Sequence, residues 1–428
     1  MRLHKLLALL CAAIANTAVA TTLNETVTSA VQYHPAVSSA QAEKQAAGFA
    51  IDAAKGNYLP QLSVSLSTGT QIANNTTIRS YQDDSNESWI NSADVRLQQM
   101  IYDGGNTSNN VLSAEKRYVA AGHLETERVQ DVMLEAVKAH IGVLKAQELV
   151  TLAQANLNAH KNYAEDIKER ANNGVITKTD AYHADARQAL AQASLSEMEE
   201  NLLKAHIHYQ EVTGSEPLKL KKDSTISFPF KKRAEAVEYA LTHNPTIAEA
   251  FATSEAADAE YSRTKAAFRP NINFEVTSSV QDGSASSDLS PQNGQSHDTF
   301  AGLTMSWDIY RGGSDTAQQS AAASTMASTD ALVKLSQRDI RESVASAWDS
   351  RKKLEERIPL LFDYSKAIHL VMRDYIDQFS VNRRGLLDLL DRQVESYRAD
   401  TDLVTASYDY KIITFELLHA TGKIQEQF

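Results

Sequence analysis

The feature that most constrains the fold is an internal duplication. The segment ETVTSAVQYHPAVSSA around Pro35 returns as EAVEYALTHNPTIAEA around Pro245, 210 residues later, with Glu25/Glu235, Val27/Val237, Ala30/Ala240, Lys55/Lys265 and Pro60/Pro270 identical. Further along, Ile101-Tyr102-Asp103-Gly104-Gly105 matches Ile309-Tyr310-Arg311-Gly312-Gly313 at an offset of 208, which then holds through Asp180/Asp388 to Thr213-Gly214 and Thr421-Gly422. The sequence is two versions of one unit, residues 21–214 and 233–422, with a connector at 215–232 and a tail at 423–428.

Within each unit the apolar period switches from helical to two between the second proline and the glycine pair, the mark of strands with one apolar face. Leu62, Val64 and Leu66 alternate with serines, and Ala93, Val95 and Leu97 alternate with Asp94, Arg96 and Gln98. In the second unit Ile272, Phe274 and Val276 alternate with polar residues, as do Leu303, Met305, Trp307 and Ile309. Each unit therefore predicts one hairpin, at about 61–101 and about 271–309, with strands of about ten residues or more, the length of a tilted membrane strand. The tips between the strands are long and polar, and the two-residue length difference falls there. A soluble sandwich would need a second sheet to cover the apolar face, and the pattern offers none. Four strands do not close a barrel, and an open edge in lipid leaves backbone groups without partners, so the chain is expected to oligomerise.

The rest reads as helix. Glycine (16) and proline (8) are scarce in 428 residues, so turns are few and elements long. From Asn106 to Asn172 there is no proline, and Val129, Val132, Ala136, Ala139, Val143, Ala146, Val150, Ala153 and Leu157 step by three and four, a coiled-coil seam. At 1.5 Å per residue this helix would be on the order of 100 Å long. Predicted helices are 23–58, 105–172 and 177–214 in the first unit and 233–268, 313–380 and 386–422 in the second, with Pro359 expected to bend the penultimate one. Residues 1–20 read as a signal peptide: Arg2 and Lys5, the apolar run Leu6 to Ala15, then Ala18-Val19-Ala20. Its removal takes away Cys11, the single cysteine, and moves the formal charge from -12 to -14. An acidic exported chain is not a nucleic-acid binder, and without cysteine it has no disulfide, thiolate metal site or cysteine nucleophile.

The chain resembles the TolC family of outer-membrane efflux and secretion channels from residue 21 onward. The resemblance rests on the Pro35/Pro60 and Pro245/Pro270 helices, the Y-x-G-G motif after each hairpin, and the turns NNGVITKTDAYHADAR and QFSVNRRGLLDLLDRQ. It implies an α+β membrane protein: a homotrimer with four strands per chain in one 12-stranded barrel, continued by a long α-helical coiled-coil tunnel through the periplasm of a Gram-negative bacterium. It also implies a passive exit duct that works with a periplasmic adaptor (membrane fusion) protein and an inner-membrane ABC exporter or proton-driven pump. The chain would contact outer-membrane lipid and need no cofactor. A periplasmic coiled-coil adaptor or structural protein is the alternative, which the four alternating strands disfavour.

Asp388 and Asp391, three apart at a helix start, lie on one face, so a threefold axis would gather six carboxylates around one pore. Taken alone, two acids there also suit a solvated face favoured by the helix dipole. By the resemblance they form a pore ring, while Phe379 and Arg384 hold the periplasmic end shut against the neighbouring helix pair, where Thr179 and Asp180 are the partners and Arg384–Asp180 the expected salt bridge. Phe379 stands where a tyrosine would bring a hydroxyl, and Asn382 where glycine is usual. No catalytic residue, cofactor site or metal site is predicted: His206 and His208 fall on different helix faces, and no HExxH, GxSxG or GxxxxGK[ST] motif occurs. Gly104-Gly105 and Gly312-Gly313 read as strand-to-helix corners rather than phosphate loops, and Asp83, Asp84 and Asp288 as solvated tip residues rather than a calcium site.

Overall fold

A computed structural model describes residues 20–72, 87–222, 226–285, 294–381 and 383–428. The predicted leader up to residue 19, most of both hairpin tips with Asp83, Asp84 and Asp288, and Asn382 lie outside the described residues. The chain divides into two compact units, one built from residues up to Ser39, Thr126–Pro245 and Arg338–Phe428, the other from Ala40–Glu125 and Thr246–Gln337.

The element order runs twice through the same series. Helices α1 (Leu23–Tyr33) and α2 (Pro35–Gly56) lead to strands β1 (Gln61–Ile72) and β2 (Glu87–Tyr102), then to α3 (Asn106–Asn172) and α4 (Lys178–Thr213). After the connector come α5 (Arg233–His243), α6 (Pro245–Thr264), a 3-10 turn (Lys265–Phe268), β3 (Asn271–Ala285), β4 (Gly294–Ser306), α7 (Ser314–Ser380), α8 (Leu386–Ala420) and a final 3-10 turn at Ile424–Gln427. The continuous helices expected at 23–58 and 233–268 are each broken. Proline crowds the residue before it out of the helical region, and His34 and Asn244 are extended at φ -70, ψ 126 and φ -70, ψ 129. Their amides still cap the preceding helices, on Ala30 and Ala240 oxygens. Pro359, expected to bend its helix, is carried inside the single 67-residue α7.

In the strand-bearing unit one antiparallel sheet has the order β1-β2-β3-β4. Register places Leu62 opposite Leu97, Val64 opposite Val95, Leu97 opposite Val276, and Phe274 opposite Leu303, so the apolar residues of all four strands share one face. That face is bare: Leu62 is 69% exposed, Leu66 77% and Leu303 68%. The other face carries the polar set, with Ser67 and Ser92 hydroxyls 2.7 Å apart and Arg96 paired with Glu275 at 2.9 Å. β4 stops at Ser306 rather than at the expected 309, because its ladder partner β3 begins at Asn271, opposite Ser306, and Pro270 before it has no amide to donate. Among the described residues, the outer edges of β1 and β4 have no strand beside them.

In the other unit the core gathers Val27 and Ala30 of α1, Ala136 and Val143 of α3, Val212 of α4 and Leu418 of α8. Alanine and valine at these seam positions allow close helix approach. A buried polar network crosses this core. Thr26 Oγ1 lies 2.8 Å from His140 Nδ1 and 3.1 Å from Tyr209 OH, and His140 Nε2 lies 3.2 Å from the Lys221 oxygen of the connector. Every buried polar atom so placed has a partner, the condition under which such a network stabilises rather than costs. The connector also pairs with the segment just before α1, Thr21 N–H donating to the Lys219 oxygen at 2.7 Å. Further along, the Phe228 ring packs at a tilt against Trp348 of α7, with centroids 5.7 Å apart. Among the described residues no helix is long and apolar enough to cross a membrane, and no group of three or more His, Cys, Asp or Glu could hold a metal ion.

Candidate functional site: the turns joining the long helices

Two tight turns connect α3 to α4 and α7 to α8, and all predicted site residues lie at or beside them. At the first, Gly174 takes the left-handed region at φ 75, which lets the Val175 amide reach back to the Arg170 oxygen at 2.9 Å and close α3. Thr177 then caps α4 in a capping box. Its hydroxyl accepts the Asp180 amide at 3.3 Å and donates to Asp180 Oδ2 at 2.7 Å, while Asp180 Oδ2 accepts the Thr177 amide at 3.1 Å. Thr179 sits exposed in the same turn of helix. At the second turn the Arg383 amide donates to the Gln378 oxygen at 2.9 Å, and α8 starts after Gly385 without a side-chain cap.

Beneath the turns lies a small apolar core. Leu386, Leu389 and Leu390 point inward against Ala164 and Ile167 of α3, Ala184 of α4 and Met372 and Phe379 of α7. This inward set leaves Asp388 and Asp391 on the outer face of α8, both exposed. Phe379 is buried in the same core, and the Arg170 guanidinium lies over its ring at 4.8 Å. It therefore joins α7 to α3 by packing and a cation–π contact, a link that needs no hydroxyl.

The expected Arg384–Asp180 bridge is not formed among the described residues. Arg384 instead lies over Tyr375 at 4.8 Å, donates from Nε to Gln378 Oε1 at 2.9 Å and approaches Asp388 Oδ2 at 3.9 Å. The reason is local: in the turn after α7, Arg384 finds Gln378 on the last turn of that helix and Asp388 on the first turn of α8, while Asp180 turns its Oδ2 into the capping box. Four residues that sequence reasoning did not single out complete the site. Arg187 of α4 donates to Asp391 Oδ1 at 2.6 Å, Lys168 of α3 pairs with Asp185 of α4 at 2.6 Å, and Gln378 holds Arg384. Arg187 follows Asp180 by seven residues on the same helix face, which is the one signal in the sequence that would have marked it. Beside Arg187, His160 of α3 is 1% exposed, and burial, seconded by the Arg187 charge, holds its pKa below the ordinary histidine value. Chemically the site presents two interhelical ion pairs, Arg187–Asp391 and Lys168–Asp185.

A sequence profile described as outer membrane efflux protein matches residues 26–215 and 236–423. The outer membrane efflux protein BepC of Brucella suis is 27% identical over 333 residues, covering 77% of this chain and 72% of that protein. The outer membrane protein TolC of Vibrio cholerae is 24% identical over 415 residues, covering 95% and 91%. Among solved structures, the Campylobacter jejuni CmeC outer membrane channel superposes with a TM-score of 0.81 at 13% identity, covering 94% of this chain and 86% of that one, a likeness of fold. Proteins of this kind are passive channels. The chain belongs to the outer membrane efflux protein family, the TolC-type channels of the Gram-negative outer membrane that serve efflux pumps or protein secretion.

Proposed function

We propose that three copies of this chain close one barrel of 12 strands, four from each, and that the assembly is a passive exit duct gated at the turns between its long helices. The observation that carries this reading is the sheet itself: a bare apolar face on four strands of membrane length, and two edges with no neighbouring strand among the described residues. In lipid both conditions are met when β4 of one copy pairs with β1 of the next, and the polar face then lines the lumen. With no nucleotide motif in the chain, the driving energy comes from an inner-membrane ABC exporter or proton-driven pump, reached through a periplasmic adaptor protein.

At the turns, Asp388 and Asp391 are the pore carboxylates. Arg384 is the mobile latch, resting on its own chain here and reaching Asp180 of the neighbouring copy in the shut assembly. Asp180 keeps Oδ1 free of partners among the described residues for that bond, and Thr179 stands exposed beside it. Phe379 supports the latch from below by packing. The test is single-channel conductance of the purified oligomer in a planar bilayer. The wild type is expected to give small, cation-selective openings, Arg384→Ser larger ones, and Asp388→Asn with Asp391→Asn a loss of cation selectivity. A folded oligomer that conducts no ions even with Arg384→Ser contradicts the duct.

A further inference from the structure

We infer that Arg187 sets the charge of the pore mouth by neutralising Asp391, so that Asp388 carries most of the cation attraction. This inference rests on the reading of Asp388 and Asp391 as pore carboxylates. The two acids share an exposed face of α8, but their surroundings differ. Asp391 Oδ1 receives the Arg187 Nη2–H at 2.6 Å, a charge-assisted bond from a neighbouring helix. Among the described residues Asp388 pairs with Arg384 alone, whose Nη1 lies 3.9 Å away, beyond hydrogen-bond length, and Arg384 also has Gln378 and the Tyr375 ring as partners.

The position of Arg187 is fixed rather than casual. Its helix is locked to α3 by Ala184 in the core on the turn side, with Ala191 and Leu195 packed on Ala153 and Leu157 farther from the turn. Its charge also reaches His160, helping to keep that buried ring neutral. A guanidinium held at this place does two things at once. It ties α4 to α8 within one chain, and it cancels one of the two carboxylates that each copy would present to the lumen. Three copies then offer three Asp388 carboxylates with no hydrogen-bonded guanidinium among the described residues, where the bare sequence counts six acids. A multivalent cation bound at the ring senses this difference through a narrow, low-dielectric mouth.

The experiment titrates hexaamminecobalt(III) on the side that carries the helix turns and reads the half-blocking concentration in single-channel records. Arg187→Gln is expected to lower it about tenfold, because three uncancelled carboxylates join the site, and Arg187→Lys, which keeps the charge, is expected to stay near wild type. Asp391→Asn is expected to raise it, and Arg187→Gln with Asp391→Asn together to return toward wild type. An unchanged or raised half-blocking concentration in Arg187→Gln, with Asp388→Asn still weakening the block, overturns this inference alone. If Asp388→Asn leaves the block unaltered, the pore-carboxylate reading fails, and the role of Arg187 fails with it.

Discussion

At the scale of single residues, backbone geometry explains the glycines that the duplication repeats. Gly104 sits at φ 69, and a Cβ there would lie 2.8 Å from Arg269 Cβ and 3.1 Å from the Ala266 oxygen. Gly214 sits at φ 70 with the Tyr33 ring 2.6 Å from where a Cβ would be. Gly104→Ala and Gly214→Ala are each expected to destabilise the chain by about 1–3 kcal/mol, from strain plus contact, seen as a lower melting temperature of the extracted oligomer. Gly56→Ala, with open space around it, is the control and should be neutral or slightly stabilising. His160 gives a pH dependence of definite sign. Its folded pKa is depressed, so the unfolded chain binds the proton more readily, and stability is complete above the unfolded value near 6.5 and lost as pH falls below it. Denaturant midpoints measured from pH 7.5 down to 5 should fall for the wild type and fall less steeply for His160→Leu. The acid pair Asp388/Asp391 was legible as a face because a three-residue spacing is a local fact. Arg187 and Tyr375 were not, because which side chain meets an acid depends on how separate helices pack.

At the scale of elements, the alternation of the strands was legible almost residue by residue, since a period of two survives whatever the strand packs against. Its limit shows at β4, where Trp307 and Ile309 continue the pattern but Ser306 is the last residue with a ladder partner in the chain. Periodicity reports a side-chain face, whereas a strand end is set by hydrogen-bond partners. The same gap appears at His34 and Asn244, where the helical pattern runs through a proline that the backbone cannot follow. If the apolar face meets lipid, Leu66→Lys should sharply reduce assembly into vesicles, at a cost of up to about 2–4 kcal/mol near the bilayer midplane. Ser65→Lys, one residue away on the polar face, should assemble nearly as wild type. Yields of the heat-resistant oligomer after refolding into lipid vesicles compare the two, and equal losses would contradict the assignment of faces.

At the scale of the whole molecule, each half of the sequence supplies one hairpin and one pair of long helices, with α3 and α7 both 67 residues long. The duplication made this legible because equal spacing from tyrosine to glycine fixes equal helix lengths. What one chain cannot display is the closing partner: the apolar face and the edges of β1 and β4 acquire meaning only beside other copies, and no pattern within a single sequence counts them. The central claim is that this sheet is one third of a barrel. The most direct measurement is the protein mass of the detergent-extracted assembly by light scattering with the detergent contribution subtracted. Three times the mass of the processed chain is the predicted result; a stable, folded particle of one or two chains would contradict it.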